Sequence, residues 1–218
     1  MLETIVRFFQ EGGPFMYPIA VVLALGLAIT LERFVFLASV GRKNRVVFER
    51  AILPQLQKRD YQRAMKAAGH SNSAIGSIMG AGLGRLVSNC RREDIEYAME
   101  EGLMEVLPRL EKRTQYLATL ANIATLLGLL GTIIGLISAF TAVAAADPAQ
   151  KASLLSESIS VAMNTTAFGL MSAIPLLMFH ALLQTRTNEI VDSFEMAGVK
   201  LLNLVSEPTS SGATGAAV

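Results

Sequence analysis

Polar and hydrophobic positions fall into long blocks along this chain. Three runs carry no charge: residues 12–31, 114–146 and 158–185, of 20, 33 and 28 residues. An apolar run of about 18 residues or more is long enough to cross a bilayer as a helix. The second run makes ~50 Å of helix if unbroken, against a hydrocarbon core of ~30 Å. It is therefore expected to tilt or to project into the cytoplasm. The first run reads as a span, not a cleaved signal: no small-x-small site precedes Glu32-Arg33, and only Arg7 supplies a positive leader.

The second run has a stripe without bulky side chains. In alternating steps of four and three it holds Thr114, Ala118, Ala121, Thr125, Gly128, Thr132, Gly135, Ala139, Ala142 and Ala146. Such steps stay on one helix face. A soluble amphipathic helix puts Leu or Ile on its buried stripe. Small residues and hydroxyls there suit close helix approach in lipid, or a narrow polar path. The third run answers with Ser158, Ala162, Thr165, Gly169 and Ser172 on one face and Thr166 beside it. Thr165, Thr166 and Asn164 are then candidates for a wet path facing Thr132. Plain packing is the competing reading, because Ser and Thr in membrane helices often satisfy a carbonyl of their own helix. Asn164 fits packing less easily, since a primary amide needs partners in lipid. Gly128, Gly131, Gly135 and Gly169 are expected to let helices approach closely, and Pro175 to kink the third span with Ser172 taking up freed backbone groups.

The segment between the first two runs reads as helices. Asp60 caps one through Ala68 that ends near Gly69. Residues 74–87 are Gly-rich and apolar, hence buried. A further helix starts at Arg92, with Ile95, Met99, Val106 and Leu110 on one face and Pro108 as a kink. Its glutamates, Glu93, Glu96, Glu100, Glu101 and Glu105, read as a solvated face. Residues 208–218 read as a disordered tail.

Charge orients the chain. Fourteen Lys/Arg lie between Arg42 and Arg113, whereas Asp147 to Glu157 holds only Lys151. The positive-inside rule puts the large piece in the cytoplasm, the short link and the N-terminus outside, and the C-terminus inside. Composition agrees with a membrane protein: 52% hydrophobic residues and a mean hydropathy of +0.45. A net charge of +1 offers no argument for nucleic acid. One cysteine, Cys90, excludes an internal disulfide. No catalytic or metal motif appears, and His70 and His180 are far apart in sequence; no enzyme, cofactor or metal is expected.

No Asp, Glu, Lys or Arg lies inside any of the three runs. A charge at mid-helix costs about 2.5–3.5 kcal/mol, and hydroxyls line a wet path more cheaply. Hydroxyls do not titrate near neutral pH. If the chain conducts protons, the titrating carboxylate must come from a second protein.

The motifs LLGLLGTIIGLISAF at 126–140 and TTAFGLMSAIPLL at 165–177, with LER at 31–33, resemble the TolQ/ExbB/MotA family of ion-driven membrane motor subunits, most closely its TolQ/ExbB branch. The resemblance implies an all-α membrane protein of three transmembrane helices, the second and third long and extending into the cytoplasm, with a helical cytoplasmic domain. It implies residues 1–37 as periplasmic N-terminus and first span, 38–113 as the cytoplasmic domain, 114–146 as second span, 147–157 as periplasmic link, 158–185 as third span and 186–218 as cytoplasmic tail, in a bacterial inner membrane. It implies a homopentameric ring around two copies of a single-span TolR/ExbD/MotB-like subunit that carries the essential membrane Asp. Thr132 and Thr166 match the family threonines facing that Asp, with Thr165, Asn164 and Glu157 along the path. Thr125, Gly128, Gly131, Gly135, Ala139, Gly169 and Pro175 then shape packing and the ring lumen. The transported ion is H+, with Na+ left open by Asn164 and the double Thr. One departure is Val161, where many TolQ/ExbB proteins have Glu; Glu157 lies one turn earlier. It leaves room for a gliding- or flagellar-type stator. A non-conducting scaffold and a stand-alone transporter are the other readings.

Overall fold

The computed structural model describes residues 12–206. Among them the regular structure is helical: α1 (Met16–Val47), a π-helical turn (Phe48–Ile52), α2 (Leu53–Gln57), α3 (Tyr61–His70), α4 (Ala74–Val87), α5 (Arg92–Glu111), α6 (Thr114–Ala145) and α7 (Lys151–Ser206). Three stretches are long and apolar enough to cross a membrane, one each in α1, α6 and α7. The described residues form two compact units. One gathers 12–34 and 113–184, the other 35–112 and 185–206.

The first unit holds the uncharged runs. Its charged residues are Glu32, Arg33, Arg113, Asp147, Lys151 and Glu157. The buried side of α6 is built from Leu117, Ala121, Ala124, Gly128, Gly131 and Ala139. Its large residues, among them Leu126, Ile133, Ile137 and Phe140, are exposed. On α1, Met16, Ile19, Gly26, Thr30 and Arg33 are buried along one stripe. A Cβ on Gly26 would collide with the Leu176 side chain, so α1 and α7 approach closely there. Arg113 starts α6 from a left-handed backbone, φ 67°, and its Nη1 lies 2.6 Å from Glu32 Oε1. That break at Lys112-Arg113 separates α5 from α6.

The second unit has a conventional core. Ile52, Leu56, Ile75, Met79, Leu83, Ile95, Phe194 and Leu201 are fully or almost fully buried. Asp60 caps α3 as its position suggests, its Oδ1 accepting from Arg63 N at 3.1 Å. Ser73 caps α4 through Gly76 N at 3.1 Å. The Gly-rich α4 packs against α3 and α5. Gly102 of α5 sits over the Ile78 backbone, where a Cβ would stand 3.2 Å from Ile78 Cα.

Several boundaries differ from the sequence reading. Helix α3 runs to His70, past Gly69. Helix α7 starts at Lys151, so most of the 147–157 link is helical; its polar residues (Lys151, Ser153, Ser156, Glu157) hide a turn that forms readily outside lipid. The same helix continues through 186–206, where Ile190, Phe194, Ala197 and Leu201 recur at helical spacing and are buried. Residues 186–206 are thus helical, in keeping with a third helix that extends beyond its uncharged run. Helical assignment passes unbroken through Pro175 and Pro108. Ser172 Oγ has no hydrogen-bond partner, so it does not take up a carbonyl freed by Pro175. The tail at 208–218 and the N-terminal residues 1–11 lie outside the described residues.

Candidate functional site

The small-residue faces of α6 and α7 meet. A Cβ on Gly169 would stand 2.8 Å from Ala124 O and 3.0 Å from Gly128 Cα; one on Gly128 would stand 3.3 Å from both Gly169 Cα and Thr166 Cα. One on Gly135 would stand 2.7 Å from Ala162 Cβ. One on Gly131 would collide with the Thr165 methyl. The pairing 124 with 169, 128 with 166 and 169, 131 with 165 and 135 with 162 runs antiparallel. It places Thr132 within one turn of Thr165 and Thr166, as the two hydroxylated surfaces suggest.

Each hydroxyl is differently employed. Thr166 Oγ1 donates across the helix pair to Gly128 O at 2.8 Å. A glycine carbonyl is reachable because no side chain holds the backbones apart. Thr165 is buried, 2% exposed, with Oγ1 at 2.6 Å from Gly12 O and 3.0 Å from Val161 O. It holds the chain just before α1, where Gly13 adopts φ 74°. Thr132 is half-buried and donates to Leu129 O of its own helix at 2.6 Å. In all three the hydroxyl proton is committed to a carbonyl. A hydroxyl oxygen keeps its lone pairs, so each can still accept from an arriving O–H.

The other candidates scatter. Gly128, Gly131, Ala139 and Gly169 are buried within the unit, Gly135 and Pro175 half-buried. Thr125 is exposed, though its hydroxyl returns to Ala121 O at 3.1 Å. Asn164 is half-buried and Glu157 exposed near the start of α7. Val161 packs on the segment before α1, its Cγ1 3.1 Å from where a Cβ on Gly13 would stand. Asn122, exposed on α6, is a polar group that sequence reasoning passed over; a lone amide inside an uncharged run was the available signal. Among the described residues no group of three His, Cys, Asp or Glu could hold a metal.

Comparison with known proteins now places the chain. The sequence pattern of the MotA/TolQ/ExbB proton channel family matches residues 70–196. That stretch covers more than half the chain and contains the whole α6–α7 seam. The chain belongs to this family. It is also similar to a homolog of the biopolymer transport protein ExbB from Methanothermobacter thermautotrophicus, 28% identical over 194 residues, covering 88% of this chain and 67% of that protein. As a family member with three apolar helices, it is a multi-pass membrane protein.

Proposed function

We propose that this chain is the proton-channel subunit of an inner-membrane motor. It forms a homopentameric ring around two copies of a TolR/ExbD-type single-span partner and converts the ion-motive force into mechanical work on the cell envelope, on energised outer-membrane transport or on motility. The observation that carries this reading is the pairing of two facts. Residues 114–146 and 158–185 lack any carboxylate or cation, yet they bring Thr132 and Thr166 to one level of the α6–α7 seam. Such a lining can accept hydrogen bonds but cannot titrate, which calls for a carboxylate from the partner.

In this reading Thr132, the half-buried hydroxyl bonded only within its own helix, meets the partner's Asp. Thr166 keeps the seam closed by donating to Gly128 O while its oxygen lone pairs remain able to accept. Thr165 anchors the start of α1 rather than lining the path. Residues 38–113 lie in the cytoplasm with the C-terminus, and the N-terminus and the 146–150 turn lie outside, as the Lys/Arg distribution favours. The energy available is about 2.3 kcal/mol per charge per 100 mV, so several ions drive each large movement.

The test is ion flux in vesicles containing this protein and its single-span partner. Thr132→Val is expected to leave ring mass unchanged and abolish proton flux, and a sodium gradient in place of the proton gradient identifies the ion. A Thr132→Val/Thr166→Val double variant that assembles and still conducts would overturn the reading in favour of a scaffold.

A further inference from the structure

A groove of about 700 Å³ in the second unit is not used by anything described above. One wall is the end of α1 and the π turn, from Gly41 to Glu49; the other is α7 from Arg186 to Lys200; Ile75 of α4 closes one side. Four cations line it, Arg42, Arg45, Arg186 and Lys200, against two carboxylates, Glu49 and Glu189. The carboxylates are taken: Arg45 Nε lies 3.0 Å from Glu49 Oε1, and Arg186 Nη1 lies 2.8 Å from Glu189 Oε2. Arg42 and Lys200 carry the excess positive charge. Lys200 Nζ stands 5.8 Å from the Phe48 ring centre, over the groove's apolar wall.

Asn44 lines the same groove and is only 4% exposed. Its Oδ1 accepts from Ile75 N at 3.4 Å. That bond fixes the amide orientation, because a flipped amide would set NH2 against an N–H. Its Nδ2 then has no acceptor. A buried donor without a partner is costly, and native proteins rarely leave one. Ile75 belongs to the first turn of the 14-residue α4, the positive end of that helix dipole.

We propose that this groove binds a phosphate-class anion, with Asn44 Nδ2 as buried donor and Arg42 and Lys200 as the charges that neutralise it. Phosphate-bearing anions suit a helix N-terminus beside cations. The chemistry is shared by free phosphate and by the headgroup of an anionic lipid, and the lipid is the favoured source. Val35 and Phe36 are exposed on α1 two turns before Arg42, and that apolar surface would carry an acyl chain to the basic rim. Basic clusters of this kind at the cytoplasmic side of membrane helices attract anionic headgroups.

The experiment is a binding titration of the purified full-length protein in phosphate-free detergent. The probes are inorganic phosphate, short-chain phosphatidylglycerol and short-chain phosphatidylcholine. Saturable binding of phosphatidylglycerol without phosphatidylcholine binding is expected. Asn44→Asp keeps an acceptor for Ile75 N–H and replaces the donor with a negative charge; it is expected to weaken binding at least about tenfold. Should that variant fail to fold, Arg42→Gln/Lys200→Gln, on exposed rim positions, is expected to lose about as much. Equal binding of inorganic phosphate would uphold the site and assign it to the free anion. Failure of both anions to bind, or unchanged binding in the rim variant, would overturn the proposal.

Discussion

The two units differ in what they bury most: small residues form the α6–α7 seam of the first, and large apolar side chains the core of the second. In the first, the seam is Ala121, Ala124, Gly128, Gly131, Ala162 and Gly169, with Met16, Ile19, Leu117 and Leu176 buried around it, and the outside is Leu126, Ile133, Phe140 and Ile174. In the second, the inside is Ile52, Leu56, Met79, Leu83 and Phe194, and charged residues such as Arg63, Glu93 and Glu189 are exposed. The difference follows from the solvent. In water, apolar burial drives folding at roughly 25 cal/mol per Å², so the largest side chains go inside. In lipid, Leu gains little by leaving the surface; close packing of small residues and interhelical hydrogen bonds hold helices together. One chain thus follows two rules, and each unit should respond to mutation by its own.

The contrast is broken most strongly in the second unit. Phe194→Ala empties a fully packed aromatic site and is expected to cost about 3–5 kcal/mol, read as lost thermal stability of the purified protein. In the first unit the equivalent insult is an addition. Gly169→Val drives side-chain atoms towards the Ala124 carbonyl and the Gly128 backbone, with an expected cost of about 1–3 kcal/mol or more and loss of the assembled species on native mass measurement. A truncation in the first unit and an enlargement in the second would invert the contrast, and Ala124→Gly should be far milder than Gly169→Val.

Smaller effects sharpen it. Thr166→Val removes one cross-helix hydrogen bond and is expected to cost about 1 kcal/mol in stability, while ion flux in vesicles falls far more than that loss explains. Equal, mild losses in stability and flux would make Thr166 a packing residue only. Arg113→Gln breaks the pair with Glu32, whose side chains are about half exposed; a change within about 1 kcal/mol is expected in a denaturation midpoint.

Much of this was legible in the sequence. The three spans, the cap at Asp60, the helix starting at Arg92, the buried α4 and the small-residue stripe all depend on local composition and periodicity. The stripe coincides with the packed face at Thr114, Ala121, Gly128, Gly135 and Ala139 and departs from it in the middle. It follows Thr125 and Thr132 where the packed face follows Ala124 and Gly131, because small residues occupy more of the α6 circumference than one partner helix covers. Thr125 and Thr132 sit at the edge of that face. The start of α7 lies earlier than the third run suggests, and its continuation past residue 185, which the resemblance implies, is sustained by Ile190, Phe194 and Leu201 packing in the second unit, since a helix that leaves lipid no longer needs an uncharged sequence.

By itself the sequence determined that apolar helices long enough for a membrane exist, that they contain no titrating carboxylate, and which residues could line a polar seam. These are properties of single segments, set by transfer free energies and helical spacing. Tertiary structure alone decided what each hydroxyl does. Every Thr in an apolar helix has a carbonyl of its own helix within reach, so composition cannot distinguish Thr132, bonded to Leu129 O, from Thr166, bonded to Gly128 O 38 residues away, or Thr165, bonded to Gly12 O 153 residues away. Only the close approach of separate backbones makes that choice, and it leaves Thr132 as the one of the three whose hydroxyl bonds solely within its own helix.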